Sequence, residues 1–438
     1  MPPKRILVLG ITGVDKERAI DNLLDFYAED PHGKPQPVAI DFEKQYIPRI
    51  ADLHEYLDEK ERNQSRIWEE AWSDFSKDYG GYEGDIILSL HGVIVRKLYG
   101  FRSPLNLKLL EEWAPTDIVT LIDDIYMCWF RTEYRAGGLD WKGRPTLEQL
   151  LTARRVETHT GDLIAGHCTA RKYTKNYILA VRHPVRVLYR LLYGPQPQTK
   201  PVYLSFPITG PRDMREKGSN QGIDEVNGFI KEASGFEVRN PNVACFCPLA
   251  IDELPIESLF KMMDGGSGRE AAKDSSGAVA KMDIETVLKQ RWEVDDFWDG
   301  EILLTDDSVV PEIAKTAIEL DIDQVRDALG LIRTDVAHRD FRLVLQSKCL
   351  VVFNPWFDNQ QSYGVDNEIA CAYQHQIPTF IYQDPEHGDL TFVEQELKRQ
   401  VGALGGRPGQ EYIKFYGSLE DLFGDVERRI LSKRLKKS

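Results

Sequence analysis

An α/β fold of two domains with mostly parallel sheets is what this sequence predicts, on three observations. Apolar strand-like runs alternate with segments of helical spacing from the first residues onward. A proline-rich stretch interrupts that alternation, which then starts again, and 438 residues exceed the usual size of one domain.

In chain order, RILVLGITG (5–13) reads as a buried strand entering a glycine turn, and VDKERAIDNLLDFYAED continues with apolar residues at helical spacing. PVAIDFE, DIILSLHG, DIVTLIDD and YILAVRHP follow as strands, with helical spacing around 51–79 and 103–114 between them. Crossovers of that length favour parallel pairing over hairpins. Prolines, a glycine and polar residues run from Tyr193 to Pro201, which puts the boundary near 194–200 and divides the chain into domains 1–195 and 201–438.

The second domain begins with the strand VYLSFPIT, continues with a helix near 221–234, and ends with CLVVFNPW, the EIACAY helix and TFIYQ. An insertion is expected at about 255–326. Its residues 264–281, DGGSGREAAKDSSGAVAK, read as a flexible loop, whereas 282–326 carries helix-like segments with Trp292, Phe297 and Trp298. A lid, an oligomer contact and a partner surface are all open readings of it.

Hydrophobic residues make up 42% and charged residues 29% of the chain, enough apolar material for substantial cores. A formal charge of −15 argues against a non-specific nucleic-acid coat or an anionic-membrane binder, while leaving room for a local basic pocket. Cys128, Cys168, Cys245, Cys247, Cys349 and Cys371 form no CxxC or zinc-ligand series, so no metal is expected and buried reduced thiols are the plain reading. The apolar run of MPPKRILVLG breaks at Gly10, short of a signal or membrane segment, and a cytoplasmic location is expected.

GITGVDKE (10–17) follows the first strand where a phosphate-binding loop would lie. It resembles the P-loop of adenylate-kinase-like nucleotide kinases in Gly10, Gly13 and Lys16, and departs from it where Asp15 replaces a glycine and Glu17 a Ser or Thr. Both departures add negative charge where phosphates would sit, which disfavours phosphoryl transfer. A degenerate loop kept for its turn and a retained site for a regulatory nucleotide both stay open. Arg154, Arg155, Arg182 and His183 would restore positive charge in the second case, although a solvated helix face explains the first pair equally well.

Three pieces of the second domain carry further chemistry. YLSFPITGPRD (203–213) ends a strand in a turn with Arg212 and Asp213, a composition suited to anions but shared by many strand-to-helix turns. In HRDFRLVLQSKCLVVFNP, Asp340 precedes a helical turn, and capping or hydrogen bonding to a sugar or base both fit. In SYGVDNEIACAY, Glu368 lies four residues after Gly364 at the expected start of a helix, where a cap charge and a catalytic carboxylate are again both open.

The ordered set resembles the nucleoside 2-deoxyribosyltransferase superfamily, including the deoxynucleoside 5'-monophosphate N-glycosidases, over about 201–385 apart from the insertion. The resemblance implies a C-terminal Rossmann-like, deoxyribosyltransferase-type fold. It also implies that Glu368 is a nucleophile toward the anomeric carbon and that Asp340 assists at the sugar and the leaving base. Tyr203, Phe206, Arg212, Ser362, Gly364 and Asn367 would contact substrate. Ser362 stands where the transferases carry a base-contacting aspartate and the nucleotide hydrolases a phosphate-contacting serine, so the expected substrate is a nucleoside or nucleotide, by preference a monophosphate.

Ala370 departs from the family's usual glycine, and Asp366 is close enough in sequence to disturb Glu368. Asp335 competes with Asp340 for the acidic role. The resemblance further implies a homo-oligomer, no cofactor, and a link to nucleotide depletion in antiviral defence. The leading expectation is hydrolysis of the base–sugar bond; base exchange by a deoxyribosyltransferase, or a non-catalytic nucleotide-binding regulator, are the alternatives.

Overall fold

The computed structural model describes residues 3–29, 35–96, 100–135, 145–169, 174–194, 199–263, 281–292, 298, 300–305, 310–316, 318–403 and 412–431. The chain divides into two compact units. Met1–Val185, Ala250–Trp292 and Leu303–Asp335 form the first, and Arg186–Leu249, Glu293–Ile302 and Val336–Ser438 the second.

These units are drawn differently from the expected domains. The helix Val185–Tyr193 falls almost wholly in the second unit, and most of the expected insertion falls in the first. The reason is apolar and ionic. Ala250 and Ile251 are buried with Ile122, Ile178 and Ala180, and Glu253 receives two hydrogen bonds from Arg154, at 2.7 and 3.0 Å. Within that segment Lys281–Asp283 pairs antiparallel with Glu319–Asp321, and Trp292 and Trp298 are buried. Residues 264–280 and Phe297 lie outside the described residues.

In the first unit, strands β1 (Arg5–Leu9), β2 (Val38–Asp41), β3 (Ile86–Ser89), β4 (Asp117–Ile122) and β5 (Lys175–Ala180) form one parallel sheet in the order β2-β3-β1-β4-β5. Their continuous apolar character reflects cover on both faces. Ile6, Leu7, Ile86, Leu88, Ile118 and Val119 are fully buried. Shortening one such side chain, Leu7→Ala for example, costs about 2–5 kcal/mol by the usual cavity penalty. Helix α1 (Lys16–Glu29) follows β1, α2 (Glu61–Tyr79) stacks Trp68 on Trp72 at 4.9 Å in the core, and α3 (Ile125–Arg135) and α4 (Leu147–Thr169) follow β4.

In the second unit, β6 (Lys200–Ser205), β7 (Val243–Phe246), β8 (Cys349–Phe353), β9 (Thr379–Tyr382) and β10 (Ile413–Tyr416) form a second parallel sheet, ordered β7-β6-β8-β9-β10. Counted within the unit this is 2-1-3-4-5, a doubly wound order whose direction of winding reverses between β6 and β8. Both edge strands, VACF and IKFY, escape a sequence reading because four residues carry too little pattern. Ligands of such sheets bind at the carboxyl ends of the strands beside the reversal.

Candidate active site

Tyr203 and Ser205 sit two residues apart on β6, so the pleat turns both side chains to one face of the sheet. Helix α5 (Tyr363–Gln374) supplies Glu368. The Tyr203 Oη donates to Glu368 Oε1 at 2.8 Å, and the Ser205 Oγ donates to Glu368 Oε2. Glu368 is 7% exposed, and burial, reinforced by the nearby Asp340 charge, pushes its carboxyl up to about 8 against the two hydroxyl donors and Arg339. Tyr203 lies fully buried with its phenol raised well above the usual range by burial, Asp340 and Glu368, so it stays protonated and donates.

Asp340 comes from α6 (Ile322–Leu345), the helix that precedes β8, and Arg339 Nε donates to its Oδ1 at 2.9 Å. It lies inside that helix, five residues from its end, and is not a cap. The helix runs on through HRDFRLVL because none of those residues breaks it.

Glu368 likewise is not at a helix start. Helix α5 begins at Tyr363 after Ser362, so Glu368 belongs to its second turn, beyond the reach of the first-turn amides and most of the dipole. Hydroxyl groups of β6 take the place of the expected amides. The carboxylate acting on Glu368 is Asp340, not Asp366, whose own carboxyl is raised to about 7 by burial and by Glu396, against a hydrogen bond from Gln361. Asp335 is committed elsewhere. Arg154 Nε donates to it at 3.0 Å, and although burial opposes its charge, Arg154 and Arg155 hold its carboxyl below the usual range.

The first turn of α5 borders a cleft of about 310 Å³ whose lining includes Thr209, Asp213, Lys217, Phe357, Ser362 and Gly364. At 1.5 Å of rise per residue, Glu368 lies about 6 Å along the helix from Gly364. Ser362 occupies the N-cap position without a side-chain cap bond. Asn367 is exposed on the same helix. Arg212 and Phe206 are buried at 6% and 3% exposure and do not line the cleft; Phe206 meets the ring of Phe229 edge-on at 6.0 Å.

One cleft wall is a hairpin that pairs Trp356–Phe357 with Gln360–Gln361. Asp358 and Asn359 form its two-residue turn at φ 51 and 55, the left-handed conformation such turns require. His387 secures it. Its Nδ1 accepts from Asp358 N at 3.3 Å, its carbonyl accepts from Asn359 N at 3.0 Å, and its ring stacks on Phe357 at 4.2 Å. Gly210 and Gly222 leave room for the Phe357 ring, since a Cβ at either would lie 2.9 or 2.6 Å from it.

Sequence reasoning missed Ser205, Arg339 and His387 as contributors. Ser205 had a usable signal, a hydroxyl in register with Tyr203 in an otherwise apolar strand. His387 had none, because the hairpin it holds is distant in the chain.

In the first unit, Lys16 Nζ donates to the carbonyls of Gly10 at 2.7 Å and Leu90 at 3.2 Å, and the side chain is buried. Gly13 adopts φ +91, and a Cβ there would lie 2.2 Å from the Cys128 carbonyl, so only glycine fits. The cations expected to balance a nucleotide are otherwise engaged. Arg154 binds Glu253 and Asp335, Arg182 lies 3.9 Å from Asp124, and His183 is fully buried, with burial lowering it to about 4.

No family model matches the chain, and no curated protein matches it. Among the described residues, no group of three or more His, Cys, Asp or Glu side chains is arranged to hold a metal ion. No helix among them is long and apolar enough to cross a membrane.

Proposed function

We propose that the second unit cleaves the N-glycosidic bond of a nucleoside or nucleotide, by preference a monophosphate, with Glu368 as nucleophile and Asp340 as its proton-carrying partner. One observation carries the reading: a buried carboxylate, held by Tyr203 and Ser205 at the reversal of a parallel sheet, is raised by its burial and by a second carboxylate. Paired acids at such a place suit a reaction through a cation-like sugar.

Two neighbouring carboxyl groups share one proton near neutral pH because both cannot ionise cheaply. When that proton rests on Asp340, ionised Glu368 attacks the anomeric carbon, a carbon–oxygen bond forms and the carbon–nitrogen bond breaks. The electron pair leaves with the base, which takes the proton from Asp340. Water then attacks the same carbon, releases Glu368 and returns a proton to Asp340. Tyr203 and Ser205 orient the carboxylate, and their bonds to the anion are worth roughly 1.5–3 kcal/mol each. Ser362 and Lys217 at the cleft offer a hydroxyl and a cation to a phosphate, while Asp213 restricts where that phosphate fits.

Incubation with nucleosides and their mono-, di- and triphosphates, followed by chromatography for free base, tests the reading. Base release by the wild type and its loss in folded Glu368→Ala are expected. Equal activity of the two proteins would falsify the nucleophile. A new nucleoside formed when a foreign base is added would replace hydrolysis by base exchange.

A further inference from the structure

We infer that Glu157 is an internal anion filling the phosphate position of the N-terminal glycine turn, so that this loop carries its ligand in its own chain. Glu157 lies on α4 and is 1% exposed. Its Oε1 accepts from Gly10 N at 2.9 Å and from Gly92 N at 2.8 Å. Gly10 follows β1 and Gly92 follows β3, the neighbouring strand, so the two amides converge at the carboxyl edge of the sheet. Two main-chain N–H groups aimed at one oxygen are how a backbone holds a phosphate or another anion.

Three further features fit an anion chosen for its charge. Glu157 Oε2 is buried without a hydrogen-bond partner, a cost that a smaller side chain would avoid. Lys16 and His91 favour the ionised form against the burial that raises its carboxyl. A Cβ at Gly92 would lie 3.0 Å from Oε2 and 2.9 Å from Thr160 Cγ2, so glycine is what admits the carboxylate. An incoming phosphate would meet both amides already engaged, the Lys16 ammonium bound to two carbonyls, and a like charge in its place.

The ligand class that Glu157 displaces is the di- or triphosphate of a nucleotide, with pyrophosphate as its simplest probe. Hydrogen exchange of peptides covering Gly10 and Gly92 reads this unit separately from any substrate binding in the other. In the wild type, pyrophosphate and ATP with magnesium should leave that exchange unchanged. In Glu157→Ala it should quicken at least about tenfold through loss of the acceptor, and pyrophosphate should slow it again. Protection of these peptides by either ligand in the wild type overturns the inference, as does a Glu157→Ala protein on which pyrophosphate has no effect. Should Glu157→Ala not fold, Glu157→Ser empties the same place, because its short side chain cannot reach both amides. Pyrophosphate must then protect the same peptides in Glu157→Ser, and failure to do so overturns the inference equally.

Discussion

Glu157 and Glu368 are both buried carboxylates brought to the carboxyl edge of a parallel sheet, and their neighbours differ in kind. Burial raises the Glu157 carboxyl, against which two backbone amides donate to it and Lys16 favours its charge. Glu368 accepts from a phenol and a hydroxyl, with Asp340 opposing its charge. Backbone donors and a cation suit a carboxylate to a structural place, whereas side-chain donors and a second acid suit it to the proton exchange and nucleophilic attack proposed for Glu368. The contrast is one of surroundings, since the residue type and its burial are shared.

The largest effect that bears on this contrast is at Glu368 itself. Glu368→Gln should retain the fold and lose base release by on the order of 10³-fold, measured as initial rate per folded molecule. Asp340→Asn should lose about 10²-fold, because the proton for the leaving base is gone. The pH dependence of kcat/KM separates the two roles. The wild-type profile should be bell-shaped, falling on the alkaline side near the point, about 8, at which Glu368 gives up the pair's last proton. Removing the Asp340 charge lets Glu368 ionise at lower pH, so the fall near 8 should vanish in Asp340→Asn.

Tyr203→Phe removes a donor that favours ionised Glu368, so the alkaline limb should move upward while the rate falls about tenfold. A downward movement would mean that the phenol does not stabilise the anion. Stability supplies an independent check. The carboxyl of Glu368 is raised on folding from 4.5 to about 8, so its contribution is fully present below 4.5 and is lost as pH rises through about 8. Glu368→Gln should therefore melt progressively higher than the wild type between pH 4.5 and about 8, by several degrees at the alkaline end. The smallest effect on catalysis belongs to the other region. Lys16→Met leaves the Gly10 and Leu90 carbonyls without their donor and should cost roughly 1–3 kcal/mol of stability. Base release per folded molecule should not change; a loss comparable to that of Tyr203→Phe would show that the glycine turn serves the reaction.

Much of the fold is legible in the amino-acid sequence. Every strand of the first sheet, and β6, β8 and β9 of the second, coincide with apolar runs, and the two that escape, Val243–Phe246 and Ile413–Tyr416, are four-residue edges. The acidic residues Asp15 and Glu17 argue against phosphoryl transfer from their positions in the chain alone. Helix ends are less legible. For Glu368 and Asp340 the local pattern leaves a helix cap open, yet each lies within a helix and not at its start.

Short-range pattern settles the alternation of strand and helix, since side-chain periodicity and turn residues act over a few positions. It also fixes which residue types are available for chemistry. Their partners are a matter of tertiary structure. Tyr203 and Ser205 reach Glu368 across 165 and 163 residues, and Glu157 reaches Gly10 across 147. Those meetings depend on the order of strands in each sheet and on the face each helix turns inward. A carboxylate's proton affinity follows from the burial and charges it meets there, so no local pattern could separate the carboxylate held by two backbone amides from the one held by hydroxyl groups beside a second acid.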